Sequence, residues 1–205
     1  MRIAIDGPAA AGKTTLARSL AEKLGYLFVP TGAMYRAAAL AKKRGMAPEK
    51  VCIEVREGGR ILLEGEDVTE LLENSDLDEL SSQVAVDGRV RRHLVALQRQ
   101  IAQGRQVVME GRDIGTVVLP DADLKIFLWA EPEERARRRL AERGGDFQEI
   151  LAAIHRRDER DSTRKDSPLR PAPDAVILDT TGLSREQVLA VALELVEERR
   201  AKLAR

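Results

Sequence analysis

The segment "IDGPAAAGKTT" near the amino terminus constrains the fold more than any other part of the sequence. It satisfies the pattern Gly-x-x-x-x-Gly-Lys-[Ser/Thr] at Gly7, Gly12, Lys13 and Thr14. A strand is predicted directly before it and a helix directly after it, the setting in which backbone N–H groups and a helix start bind phosphate. The alternative is a chance glycine-rich turn, which average composition gives in about one such chain in a hundred. We therefore predict a phosphate-binding loop.

Composition predicts an ordinary globular protein with one main core. The chain has 205 residues, of which 43% are hydrophobic, and its 34 Lys and Arg balance its 34 Asp and Glu. With zero net charge and only 3% aromatic residues, it lacks the basic surface and stacking side chains of nucleic-acid-binding proteins. It contains no apolar run long enough for a signal peptide or a membrane span. We expect a cytoplasmic protein without nucleic-acid or membrane partners.

Cysteine and histidine are too scarce to form a metal centre. Cys52 is the single cysteine, so no disulfide can form within the chain, which fits a reducing compartment. His93 and His155 are isolated and match no metal-ligand spacing. Zinc chemistry is therefore not expected.

The alternation of short apolar runs with longer periodic segments predicts an α/β fold with a parallel sheet. The predicted strands are Arg2–Asp6, Leu27–Val29, Gln106–Glu110, Leu124–Leu128 and Ala175–Leu178. Apolar residues recur at helical spacing before Gly25 and before Gly104. Ser184 and Gln187 form a predicted capping box for the last helix.

Two stretches depart from this rhythm. Residues 52–63 read as a β-hairpin turning at "REGG". Residues 131–161 read as two charged helical segments joined at Gly144 and Gly145, a candidate hinge. The second stretch can also be read as solvated helix, with i, i+4 ion pairs at Glu131–Arg135, Glu133–Arg137 and Glu134–Arg138.

Arginines recur where a second anion site is expected. Phosphoryl transfer brings two polyanions together, so cations must face the phosphate loop. Arg36 follows the second strand, and Arg112 with Asp113 follows the third, at strand ends where open α/β sheets bind ligands. A continuing helix would put three further charged residues on one face: Arg157, Asp161 and Arg164.

Several motifs together resemble the bacterial cytidylate kinase family of P-loop nucleoside-monophosphate kinases. The resemblance runs from Ile3 to about Asp179 and rests on "IDGPAAAGK", "TGAMYR", "SSQVA", "EGRDIGT" and "RRDERD" followed by Arg164. It implies a three-layer α/β fold with a five-stranded parallel sheet, a small NMP-binding insertion containing a β-hairpin, and a helical lid. The implied boundaries are 1–30 and 87–205 for the core, 31–86 for the insertion and about 135–157 for the lid. Thr31 stands where the family commonly has Ser. The segment 44–52 contains fewer residues than the same region of the longer family members.

The resemblance also implies an activity: a monomer that uses ATP and Mg²⁺ to phosphorylate CMP or dCMP in pyrimidine metabolism. The residues implied for ATP are Gly7, Pro8, Ala9, Ala10, Ala11, Gly12, Lys13, Thr14, Thr15, Arg135 and Arg139, with Thr14 also placed at the metal. Those implied for the CMP phosphate are Thr31, Arg36, Arg112 and Arg164; for the ribose, Arg157 and Asp161; for the base, Ser82, Arg91 and Asp113. Lys13, Arg112 and Arg164 are the implied catalytic residues.

The sequence is also compatible with other interpretations. The acceptor could be UMP, AMP, dTMP, shikimate or dephospho-coenzyme A, or the chain could be a nucleotide-dependent switch. Arg157 and Asp161 could be a surface ion pair, Asp113 could cap a helix or orient Arg112, and Arg91 could be a solvated helix flank.

Overall fold

A computed structural model describes residues 1–74 and 76–204 of the chain. The strands are β1 (Arg2–Asp6), β2 (Leu27–Pro30), β3 (Ile53–Arg56), β4 (Arg60–Leu63), β5 (Glu66–Asp67), β6 (Val107–Gly111), β7 (Leu124–Trp129) and β8 (Val176–Asp179). The α-helices are α1 (Lys13–Leu24), α2 (Thr31–Lys43), α3 (Asp76–Val84), α4 (Gly88–Ala102), α5 (Pro132–Arg143), α6 (Phe147–Ser162) and α7 (Arg185–Leu203).

A five-stranded parallel sheet in the order β2-β6-β1-β7-β8 forms the centre of the molecule. All five predicted strands are confirmed, with ends within one residue of the prediction. Every residue of β6 is buried, as expected for a strand covered by helices on both faces. The strand that precedes the phosphate loop, β1, lies in the middle of this sheet.

The helices cover the sheet on both faces, and each face has its own hydrophobic cluster. On one face, Leu16 and Leu20 of α1 and Ala192 of α7 pack against Ile3 and Ile5. Gly25 ends α1 in the left-handed conformation, and the predicted capping box of α7 is present. The opposite face is covered by α2 and α4.

The predicted hairpin is confirmed as β3 paired antiparallel with β4. The short strand β5 extends it to three strands. This third strand was not predicted, because its two residues, Glu66 and Asp67, are exposed and charged. The small sheet is not a separate body, since Ile61 and Leu63 share a hydrophobic cluster with Met109 of the central sheet.

The predicted helix pair is present as α5 and α6. The alternative reading of α5 as a fully solvated helix is wrong, because the Arg135 side chain is fully buried. Of the three i, i+4 pairs in that reading, Glu134–Arg138 forms, whereas Arg137 pairs with Glu134 rather than with Glu133. Helix α6 ends at Ser162, so Arg164 lies beyond the helix and not on one helical face with Arg157 and Asp161. None of the described helices is both long and apolar enough to cross a bilayer.

Candidate active site

A cleft of about 1030 Å³ opens at the carboxyl ends of β1, β2 and β6. The loop from β1 to α1 forms one side of it, and α2, α3 and the segment after β6 form the other. Residues of α5, α6 and the start of α7 also line it. Because the central strands are parallel, their following loops meet at one edge of the sheet, which is where ligands bind in open α/β folds.

The loop between β1 and α1 has the backbone of a phosphate cradle. Gly7 has φ +152°, and a Cβ there would lie 2.3 Å from the carbonyl oxygen of Leu128. Gly12 has φ +92° and precedes the first helical residue, Lys13. These positions admit only glycine without strain, and they direct the loop toward the amino end of α1. Of the residues predicted to bind ATP, those lining the cleft are Ala9, Ala10, Ala11, Gly12, Lys13, Thr14, Thr15 and Arg139.

The Lys13 side chain is buried in the phosphate loop. Its Nζ donates to the carbonyl oxygen of Pro8 at 2.7 Å. Burial, followed by repulsion from Arg112, lowers the pKa of Lys13 to about 7. A bound polyphosphate supplies the opposite effect, because an anion within contact distance favours the charged amine.

Thr14 and Glu110 place two side-chain oxygen atoms, of the kind that coordinate a metal ion, at the mouth of the phosphate loop. Thr14 Oγ1 donates to Glu110 Oε1 at 3.1 Å. Glu110 is buried at the end of the otherwise apolar strand β6 and was not singled out from the sequence. The signal was available, since a carboxylate at the carboxyl end of an apolar parallel strand points to a site rather than to packing.

The end of β1 is tied to the segment after β6 by Asp6. Its two carboxylate oxygens accept the N–H groups of Ile114 at 2.8 Å and Gly115 at 2.7 Å. Burial raises the pKa of Asp6 to about 6 in spite of these two donors. This contact, which was also not predicted, holds the residues just after Asp113 against the strand that carries the phosphate loop.

Three of the predicted arginines surround Asp161 opposite the phosphate loop. Arg112 Nε forms an ion pair with one oxygen of Asp161, and Arg164 Nη2 donates to the other at 2.5 Å. Arg157 forms no hydrogen bond or ion pair with any residue that the structure describes, and burial with repulsion from Arg112 lowers its pKa to about 10. The cluster therefore has more positive charge than its one carboxylate neutralises.

A second observation marks this cluster as an anion site. The Nε of Arg164 is buried and has no hydrogen-bond partner among the described residues. A buried guanidinium nitrogen without an acceptor is costly, and an anion in the cleft would supply one. Asp161, by contrast, does not line the cleft, and its side chain is only 1% exposed.

Arg36 and Thr31 lie at the start of α2, beside the arginine cluster. The hydroxyl of Thr31 donates to the carbonyl oxygen of Glu110 at 2.7 Å. Arg36 donates to the carbonyl oxygen of Leu72 at 2.8 Å and forms an ion pair with Asp78 of α3. Both residues line the cleft.

The far end of the cleft contains the three residues predicted to read a base. Arg91 and Asp113 form a buried ion pair, and Arg91 Nη1 also donates to Tyr35 Oη at 3.5 Å. Burial raises the pKa of Tyr35 to about 12, so its hydroxyl keeps its proton. Ser82 Oγ donates to the carbonyl oxygen of Asp78 at 3.1 Å. The ion pair excludes the reading of Arg91 as a solvated helix flank.

The two arginines predicted to cover ATP are in different environments. Arg139 lines the cleft and has no hydrogen bond to the described part of the chain, and burial lowers its pKa. Arg135 is 0% exposed and does not line the cleft. Arg138, which was named only as an ion-pair partner of Glu134, lines the cleft, as does Arg143, which was not singled out.

The chain was also compared with known proteins. A family model described as cytidylate kinase matches residues 3–198. The cytidylate kinase of Carboxydothermus hydrogenoformans is 47% identical over 215 aligned residues, covering 96% of this chain and 97% of that protein. The cytidylate kinase of Thermotoga neapolitana is 46% identical over 214, covering 97% of each chain.

Similarity to solved structures is lower and concerns the fold alone. A gluconokinase from Sinorhizobium meliloti 1021 superposes with a TM-score of 0.57 at 16% identity, covering 99% of this chain and 95% of that one. The match of the family model, by contrast, spans almost the whole sequence. Together with the relatives that share nearly half of its residues over their full length, this match shows that the chain belongs to the cytidylate kinase family.

Proposed function

We propose that this chain transfers the γ-phosphate of ATP to CMP or dCMP, giving ADP and CDP or dCDP. The single observation that carries the proposal is the division of one cleft into two cationic ends. Lys13 lies in the phosphate loop at one end, and Arg112, Arg157 and Arg164 face it with too few carboxylates to neutralise them. Family membership and the relatives' printed names support this choice of substrates.

At the donor end, the loop N–H groups and Lys13 bind the ATP phosphates, and Arg139 covers them from α5. At the acceptor end, Arg36, Arg112 and Arg164 hold the CMP phosphate. The Nε of Arg164, which has no acceptor among the described residues, supports that role because a phosphate oxygen would accept its hydrogen bond. Of the proposed ribose contacts, Arg157 makes no hydrogen bond to the described residues, whereas both carboxylate oxygens of Asp161 accept from arginines. We therefore propose Arg157 for the ribose and Asp161 as the residue that holds Arg112 and Arg164.

The reaction needs no general base. An oxygen of the CMP phosphate is already anionic near neutral pH and attacks the γ-phosphorus directly. The bond from that phosphorus to the β–γ bridging oxygen breaks, and its electron pair leaves with ADP. The protein contributes alignment and positive charge, which Lys13, Arg112 and Arg164 supply to the transferred group.

The oxygen donors at the loop fit Mg²⁺ bound with ATP. Thr14 and Glu110 are hard ligands within hydrogen-bond distance of each other, and Mg²⁺ takes the rest of its shell from phosphates and water. Among the described residues, no three His, Cys, Asp or Glu side chains form a metal cluster. When bound, the ion would neutralise phosphate charge and fix the β- and γ-phosphates.

The helix pair α5–α6 is the proposed lid, and residues 31–86 are the proposed NMP-binding insertion. Closure of the pair over the cleft would exclude water, which otherwise competes with CMP for the γ-phosphate. We further propose that the enzyme acts as a monomer in the cytoplasm, in pyrimidine nucleotide metabolism. The single, exposed cysteine supports a reducing compartment.

The test is a set of initial rates with Mg-ATP against CMP, dCMP, UMP, AMP and dTMP at equal concentration. CMP and dCMP should be phosphorylated fastest, and omitting the acceptor should leave only slow hydrolysis. Faster turnover of another monophosphate would contradict the assigned acceptor. A rate of ATP hydrolysis that no monophosphate increases would instead support a nucleotide-dependent switch.

A further inference from the structure

Arg135 is the one arginine of the predicted ATP set that lies outside the cleft, and its contacts explain why. The side chain is 0% exposed, on the first turn of α5. Nε donates to the carbonyl oxygen of Ala130 at 2.8 Å, and Nη1 donates to that of Ala9 at 3.1 Å. Nη1 and Nη2 also donate to the two carboxylate oxygens of Asp158 in α6, at 3.0 and 2.6 Å. Four of the five N–H donors of the guanidinium are therefore used within the protein.

Burying a guanidinium has a high desolvation free energy unless its N–H groups find acceptors. A leucine would fill the space without this desolvation penalty. The acceptors of Arg135 come from three separate parts of the chain. They are the phosphate loop, the end of β7 and helix α6. The centroid of the Trp129 ring lies 5.5 Å from the guanidinium carbon of Arg135. The contact to the phosphate loop is the one that bears on ligand binding.

The Ala9 carbonyl and the Ala10 N–H belong to one trans peptide unit, so they point in opposite directions. Arg135 holds the carbonyl on the protein side of the loop. The N–H of Ala10 is consequently turned away from Arg135, and Ala10 itself lines the cleft. Ala10 has φ +60°, a conformation that an alanine leaves readily when nothing holds it.

We propose that Arg135 is a positioning residue for the phosphoryl donor, which fixes the Ala9–Ala10 peptide so that the Ala10 N–H is directed at the ATP phosphates. Asp158 orients Arg135 by its bidentate contact and thereby links helix α6 to the loop. The inference deepens the proposed function and rests on the loop binding the donor rather than the acceptor. It replaces the predicted direct contact of Arg135 with ATP.

The test compares Arg135→Ala and Asp158→Asn with Arg137→Ala. Arg137 is on the same helix, but its side chain is 65% exposed and pairs with Glu134, so it serves as the matched control. Dissociation constants for ADP and for CMP are measured by calorimetry well below the melting temperature of each variant. Arg135→Ala should weaken ADP binding about tenfold, the scale of one phosphate hydrogen bond, while CMP binding stays within about twofold.

Asp158→Asn should weaken ADP binding less, by about threefold, because the amide keeps one acceptor for Arg135. It also keeps the test decisive if Arg135→Ala does not fold. The direct readout is the Ala10 amide resonance in ¹⁵N-labelled protein. ADP should shift it strongly in wild type and in Arg137→Ala, and less in the two test variants.

Unchanged ADP affinity together with an unchanged Ala10 shift in the folded variants would overturn the proposal. So would equal weakening of ADP and CMP, which is the signature of a general packing defect. The ADP affinity and the Ala10 shift require neither turnover nor CMP binding, so these two readouts remain decisive even if the acceptor assay showed that CMP is not the substrate.

Discussion

Asp113 and Arg91 form a buried ion pair at the far end of the cleft, where each side chain is 10% exposed. An arginine that holds one carboxylate oxygen restricts rotation of the whole group. The other oxygen is thereby fixed in direction. A fixed carboxylate distinguishes cytosine, whose exocyclic amine donates a hydrogen bond, from uracil, which presents an acceptor at that position.

Asp113→Asn is therefore expected to reduce base discrimination. Its amide can donate to uracil, so the ratio of kcat/KM for CMP to that for UMP should shrink by about tenfold or more. Asp121→Asn, whose side chain is 71% exposed, is the control and should leave the ratio unchanged. If the rates with CMP and UMP fell together at a constant ratio, Asp113 would serve only to orient its neighbours.

Lys13→Ala should lower kcat by at least about a hundredfold, since it removes a charge where transition-state charge collects. The fold should persist, because among the described residues the ammonium makes a single hydrogen bond, to the Pro8 carbonyl oxygen. Circular dichroism and steady-state rates measure the two effects separately. Lys23→Ala, in the exposed last turn of the same helix, is the control. A Lys13 variant that kept more than about a tenth of wild-type turnover would remove this residue from the mechanism.

The lowered pKa of Lys13 predicts proton uptake when a polyphosphate binds. With a pKa of about 7 the amine is mostly neutral at pH 8, and bound phosphates raise that pKa again. ADP binding should then take up nearly one proton at pH 8 and about a tenth of one at pH 6, and ADP affinity should fall as pH rises above 7. Calorimetry in buffers of different ionisation enthalpy measures the uptake.

Lys13→Met is the reference for that experiment, since it removes the amine but keeps the length of the side chain. The difference between wild type and variant isolates Lys13 from the titration of ADP itself. An equal proton count in the two proteins would mean that Lys13 is already charged in the free enzyme.

Arg36→Ala and Arg164→Ala should raise KM for CMP far more than KM for ATP. Loss of a charge-assisted contact costs about 1.5–3 kcal/mol, or about ten- to a hundredfold in affinity. Arg160→Ala, on the exposed side of α6, is the control for Arg164. Damage confined to ATP would show that the two anion sites have been assigned in the wrong order.

Local sequence signals predicted the elements well, because each has its own chemistry. The apolar strands, the paired glycines of the hairpin and the Ser184–Gln187 cap are all encoded within a few residues. The two-residue strand β5 carries no such signal, since its pairing is decided by β4 beside it.

The site was predictable as a set of residues but not as a network. A pattern such as "ERARRR" cannot show which arginine faces the core, because helical spacing offers Arg135 only the exposed carboxylate of Glu131 as a partner. That choice is made by the fold, which brings Asp158 and the Ala9 carbonyl to the same point. The hydrogen bond from the Ile114 N–H to Asp6 could not be predicted for the same reason, since 108 positions separate the two residues in the sequence.

The contact between Arg135 and Asp158 joins the first turn of α5 to α6, beside the phosphate loop. A helix rises about 1.5 Å per residue, so Arg143 lies about 12 Å along α5 from Arg135. A tilt of about 20° around the Arg135 end would displace Arg143 by about 4 Å and leave the phosphate loop in place. Arg143 Nη1 is 3.6 Å from Asp78 Oδ2, so this displacement is enough to make or break its contact with α3. A closing movement of the proposed lid that pivots at Arg135 would therefore carry the far end of α5 across the proposed acceptor site and leave the proposed donor site unchanged.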